Sequence, residues 1–305
     1  MAKRYQIWRP NFEMPAAWRG PLKAARYILL ASIVAFLAYR LTQIGWNEIA
    51  GALPANPLFY ILSVAVFLVL PVSEMLNYRL LTGGFIPDGL RIFSRKRVLN
   101  DAIVGFAGEA YLYSRLVKMP DFDQRRALTV IKDNNLVSAL ISNSWTILLV
   151  VSLVMVGRAD ILDRILNLAP ILVASFAIIC LILFALAMLF FGRISNLTRK
   201  CAMQLATVHG AKVLVAAALQ VAQWASALPT AAATTWLLLL TIQLLLRRIP
   251  GLPNADLFFL GVGISLAGFV GDDAVQLTAM LLAATAATQI IQLFVFVTAT
   301  NSRSM

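Results

Sequence analysis

The chain has 305 residues, 60% of them apolar and 13% charged, with a mean hydropathy of +0.81, whereas soluble domains carry about 25% charged residues. That balance excludes a water-soluble globular protein, because its polar groups are too few to cover a surface in water. The formal charge of +12 does not point to nucleic acid. Lys and Arg fall in short clusters between apolar runs, as topology determinants do, and anionic lipid headgroups suit them at about 1 kcal/mol for each basic residue near the membrane surface.

Residues 1–26 place Trp8 and Trp18 among Arg4, Arg9, Arg19 and Lys23, an interfacial composition. No small-residue cleavage site follows, so no cleaved leader is expected. A spanning helix needs about 20 apolar residues, and the first candidate covers 27–42. Residues 44–57, with Trp46, Glu48 and Pro54 but no Lys or Arg, read as a short amphipathic piece on the far surface. A second span, 58–76, ends at Asn77, Tyr78 and Arg79. The basic stretch 79–132 is interrupted by a moderately apolar window, 98–117, that is too polar to span and suits a re-entrant or interfacial helix. Further spans are expected at 135–156, 168–191, 212–228, 230–246, 256–270 and 275–298. The 212–246 region fits either two short spans or a partly re-entrant hairpin.

The expected fold is therefore an all-α integral membrane protein, one polytopic domain over 1–305, with about eight transmembrane helices and an extra element near 98–117. With the N-terminus in the cytoplasm, every Lys and Arg except Arg40, Arg158 and Arg164 falls on the inner side, which satisfies the positive-inside rule with both termini cytoplasmic. The outer loop at Gly271, Asp272 and Asp273 is acidic.

Charged groups at mid-bilayer cost about 2.5–3.5 kcal/mol on insertion scales and so face a cavity, a partner or the interface. Glu74 and Asn77 lie three apart, on one helix face; Glu74 reads either as an interfacial acid paired with Arg79 or another basic residue, or as part of a polar pathway. Glu109 follows Gly105 and Gly108, small residues that permit close backbone approach, and Arg115 lies six residues on. A broken helix could bring this acid and base to membrane depth; the plainer reading is an ion pair on a surface helix. Asp133, Asn134 and Asn135 open the third span, where capping accounts for one of them and a polar contact with 98–117 for the others. Gln220, Gln223, Gln243, Asp256, Thr288, Gln289 and Gln292 read mainly as interhelical hydrogen-bonding groups. Gly261, Gly263 and Gly268, with Ser265, suit a tightly packed helix.

Cys180 and Cys201 make no metal or disulfide pattern. The single His209 rules out a multi-histidine metal site and reads as a residue of an inner loop. No catalytic triad, paired acidic motif or phosphate-binding loop stands out, so no cofactor and no metal is expected and an enzyme is not indicated.

Three segments carry a resemblance: Gly45-Trp46-Asn47-Glu48-Ile49, Asn77-Tyr78-Arg79-Leu80-Leu81, and Gly108-Glu109-Ala110-Tyr111 with Ser114-Arg115-Leu116. Together they resemble the transmembrane region of lysylphosphatidylglycerol synthases and its stand-alone relatives, bacterial and archaeal membrane proteins of about this size. Asp133-Asn134-Asn135 stands where that family often has a Glu–Arg pair. The resemblance implies movement of phospholipids or isoprenoid-type lipids between leaflets. The aminoacyltransferase domain of full-length synthases is not in this sequence, so lipid aminoacylation by this chain is not expected.

The resulting expectation is a bacterial inner-membrane, flippase-like lipid transporter with a headgroup cavity near 98–145. Its candidate substrate-binding residues are Glu109, Arg115, Gly108, Tyr111, Asp133, Asn134, Asn135 and Glu74. Arg115 would attract an anionic headgroup, and Glu109 would pair with Arg115 or with a cationic headgroup. Expected partners are membrane lipids, anionic or isoprenoid-type, and either a membrane-enzyme partner or a second copy of the chain. With no ATP site, uphill transport would need an ion gradient or a partner. Two other classes stay open: a non-catalytic scaffold for a lipid-modifying or cell-envelope enzyme, and an intramembrane transferase using Glu109 and Asp133.

Overall fold

A computed structural model of the chain describes residues 45–102, 106–120, 122–156, 188–249, 254–270 and 274–300, together with isolated residues between 35 and 42 and at 184–185. Among the described residues every regular element is helical. The expected spans at 27–42 and 168–191 lie almost wholly outside them.

A short helix, α1 (Trp46–Gly51), precedes α2 (Pro57–Thr82). Both ends of α2 are written in the sequence. The Asn56 side chain accepts from the Leu58 N–H at 3.0 Å with Pro57 at the first helical position, and Gly83 closes the helix with a left-handed φ of 81°, a conformation glycine adopts without strain. Then come α3 (Gly89–Ala102) and α4 (Ala107–Leu116), the long α5 (Gln124–Met155), the single turn α6 (Phe191–Ile194), α7 (Arg199–Ala227), α8 (Ala233–Leu246), α9 (Ala255–Val270) and α10 (Ala274–Thr300).

Four of these are long and apolar enough to cross a membrane: α2, α5 and α7, with 26, 32 and 29 residues, and Ala274–Thr298 of α10. On α10, Leu293 and Phe294 are 63% and 68% exposed, a patch that water would penalise and hydrocarbon does not. The spans expected at 230–246 and 256–270 are shorter, with helices of 14 and 16 residues. At 1.5 Å per residue these reach only about 21 and 24 Å, short of the ~30 Å hydrocarbon core.

Two expected boundaries move. The α5 helix starts eleven residues before Asn135, because the Asp123 carboxylate caps it by accepting from the Arg126 N–H at 2.7 Å. Asp133, Asn134 and Asn135 are therefore mid-helix residues, and their hydrogen bonding is not capping. The α7 helix starts at Arg199, with Thr198 capping the Cys201 N–H at 3.3 Å, so most of the supposed inner loop before residue 212 is helix. Asp123→Ala should cost about 1 kcal/mol, the usual worth of an N-cap side chain, seen as an earlier midpoint when the detergent-solubilised protein is titrated with SDS.

The window 98–117 is a helical hairpin and not one helix. The α3 helix runs antiparallel along α2, and the chain turns back into α4 at Phe106, whose φ is 81°. Gly108 makes the packing possible: a Cβ there would lie 2.2 Å from the Lys96 carbonyl oxygen. Its N–H donates to the Asn100 side chain at 2.6 Å. The α4 helix turns Gly108, Leu112 and Leu116 inward, residues four apart that share one face.

Among the described residues two apolar cores hold the helices. One gathers Phe59, Leu228, Trp236, Leu260 and Met280 around Trp224, which stacks on Trp236 at 6.1 Å and on Phe259 at 5.9 Å. The other gathers Tyr78, Phe93, Leu112, Leu116 and Ile131 around the hairpin. Phe59 belongs to the first and Tyr78 to the second, so the polar residues of α2 between them occupy the layer that separates the cores.

Candidate functional site

Five helices bring charged and amide side chains together in that layer. The Lys96 ammonium of α3 lies 2.6 Å from Glu74 Oε2 on α2 and 3.4 Å from Glu109 Oε1 on α4. Glu74 and Lys96 are each only 7% exposed. Burial alone would pull the Lys96 pKa down; the two carboxylates outweigh it, and the net direction is upward. From Glu74 the network continues through Asn134 of α5, which donates to Glu74 Oε1 at 3.3 Å. Asn134 Oδ1 faces His209 Nε2 of α7 at 3.2 Å, and the Lys212 ammonium sits 3.1 Å from His209 Nδ1 and 3.3 Å from Ser138 Oγ. Which ring nitrogen of His209 donates and which accepts in these contacts follows the tautomer of the imidazole. Asn77, fully buried, lies against the same ring with its amide 3.3 Å from Nε2.

Lys212 links this network to a cavity of about 650 Å³. The cavity lies between α7 and α8, which meet near their connecting loop, where Trp224 stacks on Trp236. Further from the loop, α2, the tip of the hairpin, α5 and the start of α9 supply the remaining walls. Arg97, Asn100 and Asp101 of α3, Asn143 of α5, and Gln243, Arg247, Arg248 and Asp256 contribute its polar lining; Val69, Leu70, Trp145, Leu149 and Leu244 are among its apolar lining residues.

Arg97 owes its place to Pro71. A proline inside α2 has no N–H for the carbonyl four residues earlier, and the freed Phe67 oxygen accepts from Arg97 Nη1 at 2.5 Å. Val66 O accepts from the same nitrogen at 3.4 Å, and the guanidinium lies 4.6 Å from the centre of the Phe67 ring. Asp101, one turn on, faces Arg97 Nε at 3.7 Å and accepts from Gln292 of α10 at 2.9 Å. Arg247 and Asp256 pair at 3.0 Å.

A polar seam continues along α2 and α7 toward the end bearing residues 56 and 226. Gln220 donates to Gln223 at 2.6 Å, Gln223 donates to Ser63 at 2.7 Å, and Asn56 donates to the Ser226 carbonyl at 3.4 Å. The interhelical role expected of the glutamines holds for Gln223, for Gln292 and for Gln289, which donates to Asn254 at 3.3 Å.

The expected site residues separate into two groups. Glu74, Glu109, Gly108 and Asn134 converge on the network. Asp133 is buried but accepts from the Asn196 N–H at 3.4 Å, tying α5 to the segment ahead of α7; Asn135 is half-buried on another side of α5. Arg115 is exposed and lies 5.4 Å from the Tyr111 ring, which Arg95 approaches at 5.2 Å. The expected Glu109–Arg115 pair does not form, because six residues at 100° each leave the two 120° apart around α4; Glu109 pairs with Lys96. The basic residue that Glu74 pairs with is Lys96, and Arg79 lies 4.4 Å from the Phe85 ring. His209, expected in a loop, is completely buried. Lys96 and Arg97 were hidden in a basic run that read as surface, and Lys212 stood at the edge of the span expected at 212–228. Pro71 was the available signal for Arg97, since a proline in a span leaves a carbonyl in need of a donor.

No group of three or more His, Cys, Asp or Glu side chains that could hold a metal occurs among the described residues. No protein-family model, curated protein or solved structure matches the chain.

Proposed function

We propose that this chain is a membrane transporter that moves lipid headgroups between leaflets, with the cavity between α7 and α8 as the headgroup site. In this reading the chain crosses a bacterial inner membrane eight times with both termini in the cytoplasm, and α3–α4 is a re-entrant hairpin entering from the cytoplasmic side. The observation that carries it is a charged cavity of about 650 Å³ lined by the long apolar helices α2, α5 and α7 and by the shorter α8. A headgroup entering hydrocarbon loses its hydration, at several kcal/mol for each unpaired polar group. The cavity offers replacement partners, and the seam from Gln220 through Ser63 to Asn56 continues them toward the other face. The tails stay in lipid. The Glu74–Lys96–Glu109 network holds the hairpin in place, and direct headgroup contact falls to the cavity residues. The resemblance to the transmembrane region of lysylphosphatidylglycerol synthases points the same way.

The test is a steric plug. Ala217 of α7 lines the cavity, and Ala217→Trp fills space there without changing a charge. In proteoliposomes carrying fluorescent phospholipids, the wild-type protein should speed leaflet exchange above protein-free vesicles, and Ala217→Trp should return it to the protein-free rate while melting like wild type. A wild-type rate no higher than that of empty vesicles, or a plugged variant as fast as wild type, overturns the reading.

A further inference from the structure

We propose that the path holds a second phospholipid-headgroup site at the other end of α7, and that the indole of Trp224 is the gate between the two sites. This rests on the reading of the cavity between α7 and α8 as a headgroup site and adds the far end of the same path.

Three hollows follow one another in the same order along α2 and α7. The headgroup cavity touches α7 from Lys212 to Gln220 and α2 from Val66 to Leu70. A narrow pocket of about 30 Å³, the share of one water molecule in the liquid, continues it, and Arg97, Gln220 and Gln243 line both. That pocket reaches Trp224 on α7, Ser63 on α2 and Leu281 on α10. The third hollow, of about 600 Å³, is lined by Ala227 of α7, by Glu48 of α1, by Ala55 just ahead of α2 and by Gln276 and Met280 of α10. It nearly matches the first in volume, so it admits the same headgroup.

One layer of side chains closes the path. At 1.5 Å per residue, Ala227 lies about 10 Å along α7 from Gln220 and about 5 Å from Trp224. Phe59 of α2, Trp224 of α7 and Leu277 of α10 fall between the narrow pocket and the third hollow, and all three are completely buried. Trp236 and Phe259 stack on the Trp224 ring. Polar groups stand on both sides of the layer, Ser63 bonded to Gln223 on one and Glu48 with Gln276 on the other. A headgroup therefore has to shed its partners for the depth of one layer and not for about 30 Å of hydrocarbon.

The choice of Trp224 as the moving part rests on its nitrogen. Nε1 is buried and has no hydrogen-bond partner among the described residues, and a buried donor without an acceptor is costly. Indole is a donor only. A phospholipid passing the layer brings phosphate and ester oxygens, so the open state gives this donor the acceptor that the closed state denies it.

The experiment asks which membrane face reaches each site. In the full chain with Cys180→Ser and Cys201→Ser, Ala217→Cys marks the first cavity and Ala227→Cys the third hollow. Sealed right-side-out and inside-out membrane vesicles from an expressing bacterium are treated with a membrane-impermeant, negatively charged methanethiosulfonate. Ala217→Cys should react faster from the inner face and Ala227→Cys faster from the outer; the mirrored pattern supports two ends equally and inverts only the orientation. Trp224→Ala should narrow both differences and speed the exchange of fluorescent phospholipids in proteoliposomes about tenfold, the rate equivalent of about 1.4 kcal/mol of barrier. Where Trp224→Ala melts early, Trp224→Leu carries the same expectation. Trp224→Phe keeps a ring and loses the N–H, so it should preserve sidedness while slowing exchange, a split that a merely structural tryptophan would not produce. Both cysteines reacting faster from one face, or Ala227→Cys reacting from neither, overturns the second site. A folded Trp224→Ala or Trp224→Leu with unchanged sidedness and exchange overturns the gate. The transport reading fails separately: opposite sidedness without leaflet exchange removes lipid transport and leaves a gated, two-ended path, whereas exchange with both cysteines open to one face does the reverse.

Discussion

Lys96→Met should destabilise the protein by about 3–5 kcal/mol, the usual result of removing one partner from a buried ion pair. Lys96 touches both Glu74 and Glu109, and methionine replaces its stem with a similar volume but leaves a buried and a partly buried carboxylate without it. They repel and have lost their counter-charge, so both the desolvation of each acid and their mutual energy count against the fold. The loss should appear as a large drop in the melting temperature of the detergent-solubilised protein and an earlier unfolding midpoint in SDS. Adding Glu74→Gln should recover part of it, because the second substitution removes one stranded charge while keeping an acceptor for Asn134. The double-mutant cycle should then give a coupling energy above about 1 kcal/mol between positions 74 and 96. If Lys96→Met melts within a degree of wild type, the network is not what holds the hairpin against α2.

Gly108→Ala should cost about 3 kcal/mol, at the upper end of what an added methyl does in a packed interior. The new Cβ would sit 2.2 Å from the Lys96 carbonyl oxygen, 2.7 Å from Asn100 Oδ1 and 2.8 Å from Lys96 Cγ. The nearest of these is backbone, so a rotamer change cannot relieve the contact. The hairpin has to open, and opening it stretches the bond from the Gly108 N–H to Asn100 and shifts Lys96 relative to Glu74 and Glu109. Because Asn100 and Asp101 also line the cavity, the same variant should slow leaflet exchange as well as lower stability. Gly210→Ala is the matched control: it lies within α7 with nothing near its Cβ position and should be neutral or slightly stabilising, since alanine suits a helix interior better by about 1 kcal/mol. Equal melting of the two variants would refute the close-approach account of Gly108.

How much of the site was legible follows from the kind of signal each residue gives. Gly108 beside Glu109 announced a close approach carrying a charge, and Glu74 with Asn77 announced a polar face on an apolar helix; both are local patterns, and both residues of each pair lie in or against the network. The partner of Glu109 was not legible. Arg91, Arg95, Lys96 and Arg97 look alike in a basic run, and which of them turns inward depends on the phase of α3 against α2, set by packing such as Tyr78 on Phe93 at 5.0 Å. His209 was misplaced for a related reason. With α7 taken to begin near residue 212, its position on the stripe through Lys212, Gln220 and Gln223 could not be seen.

The sequence by itself determined that the chain is helical and belongs in lipid, because the length of an apolar run and the segregation of basic residues are properties of neighbouring positions and survive any tertiary arrangement. The helix ends at Asn56, Gly83, Asp123 and Thr198 are capped within a few residues, local signals that the length of the apolar runs alone did not reveal. Only the tertiary structure decided that Lys96 lies between two acids, that Arg97 reaches the carbonyl freed by Pro71, and that residues of α2, α3, α5, α7 and α8 line one charged cavity. Each of those depends on distances between residues far apart in the chain, where burial makes a single charge worth several kcal/mol, and no local pattern carries that information.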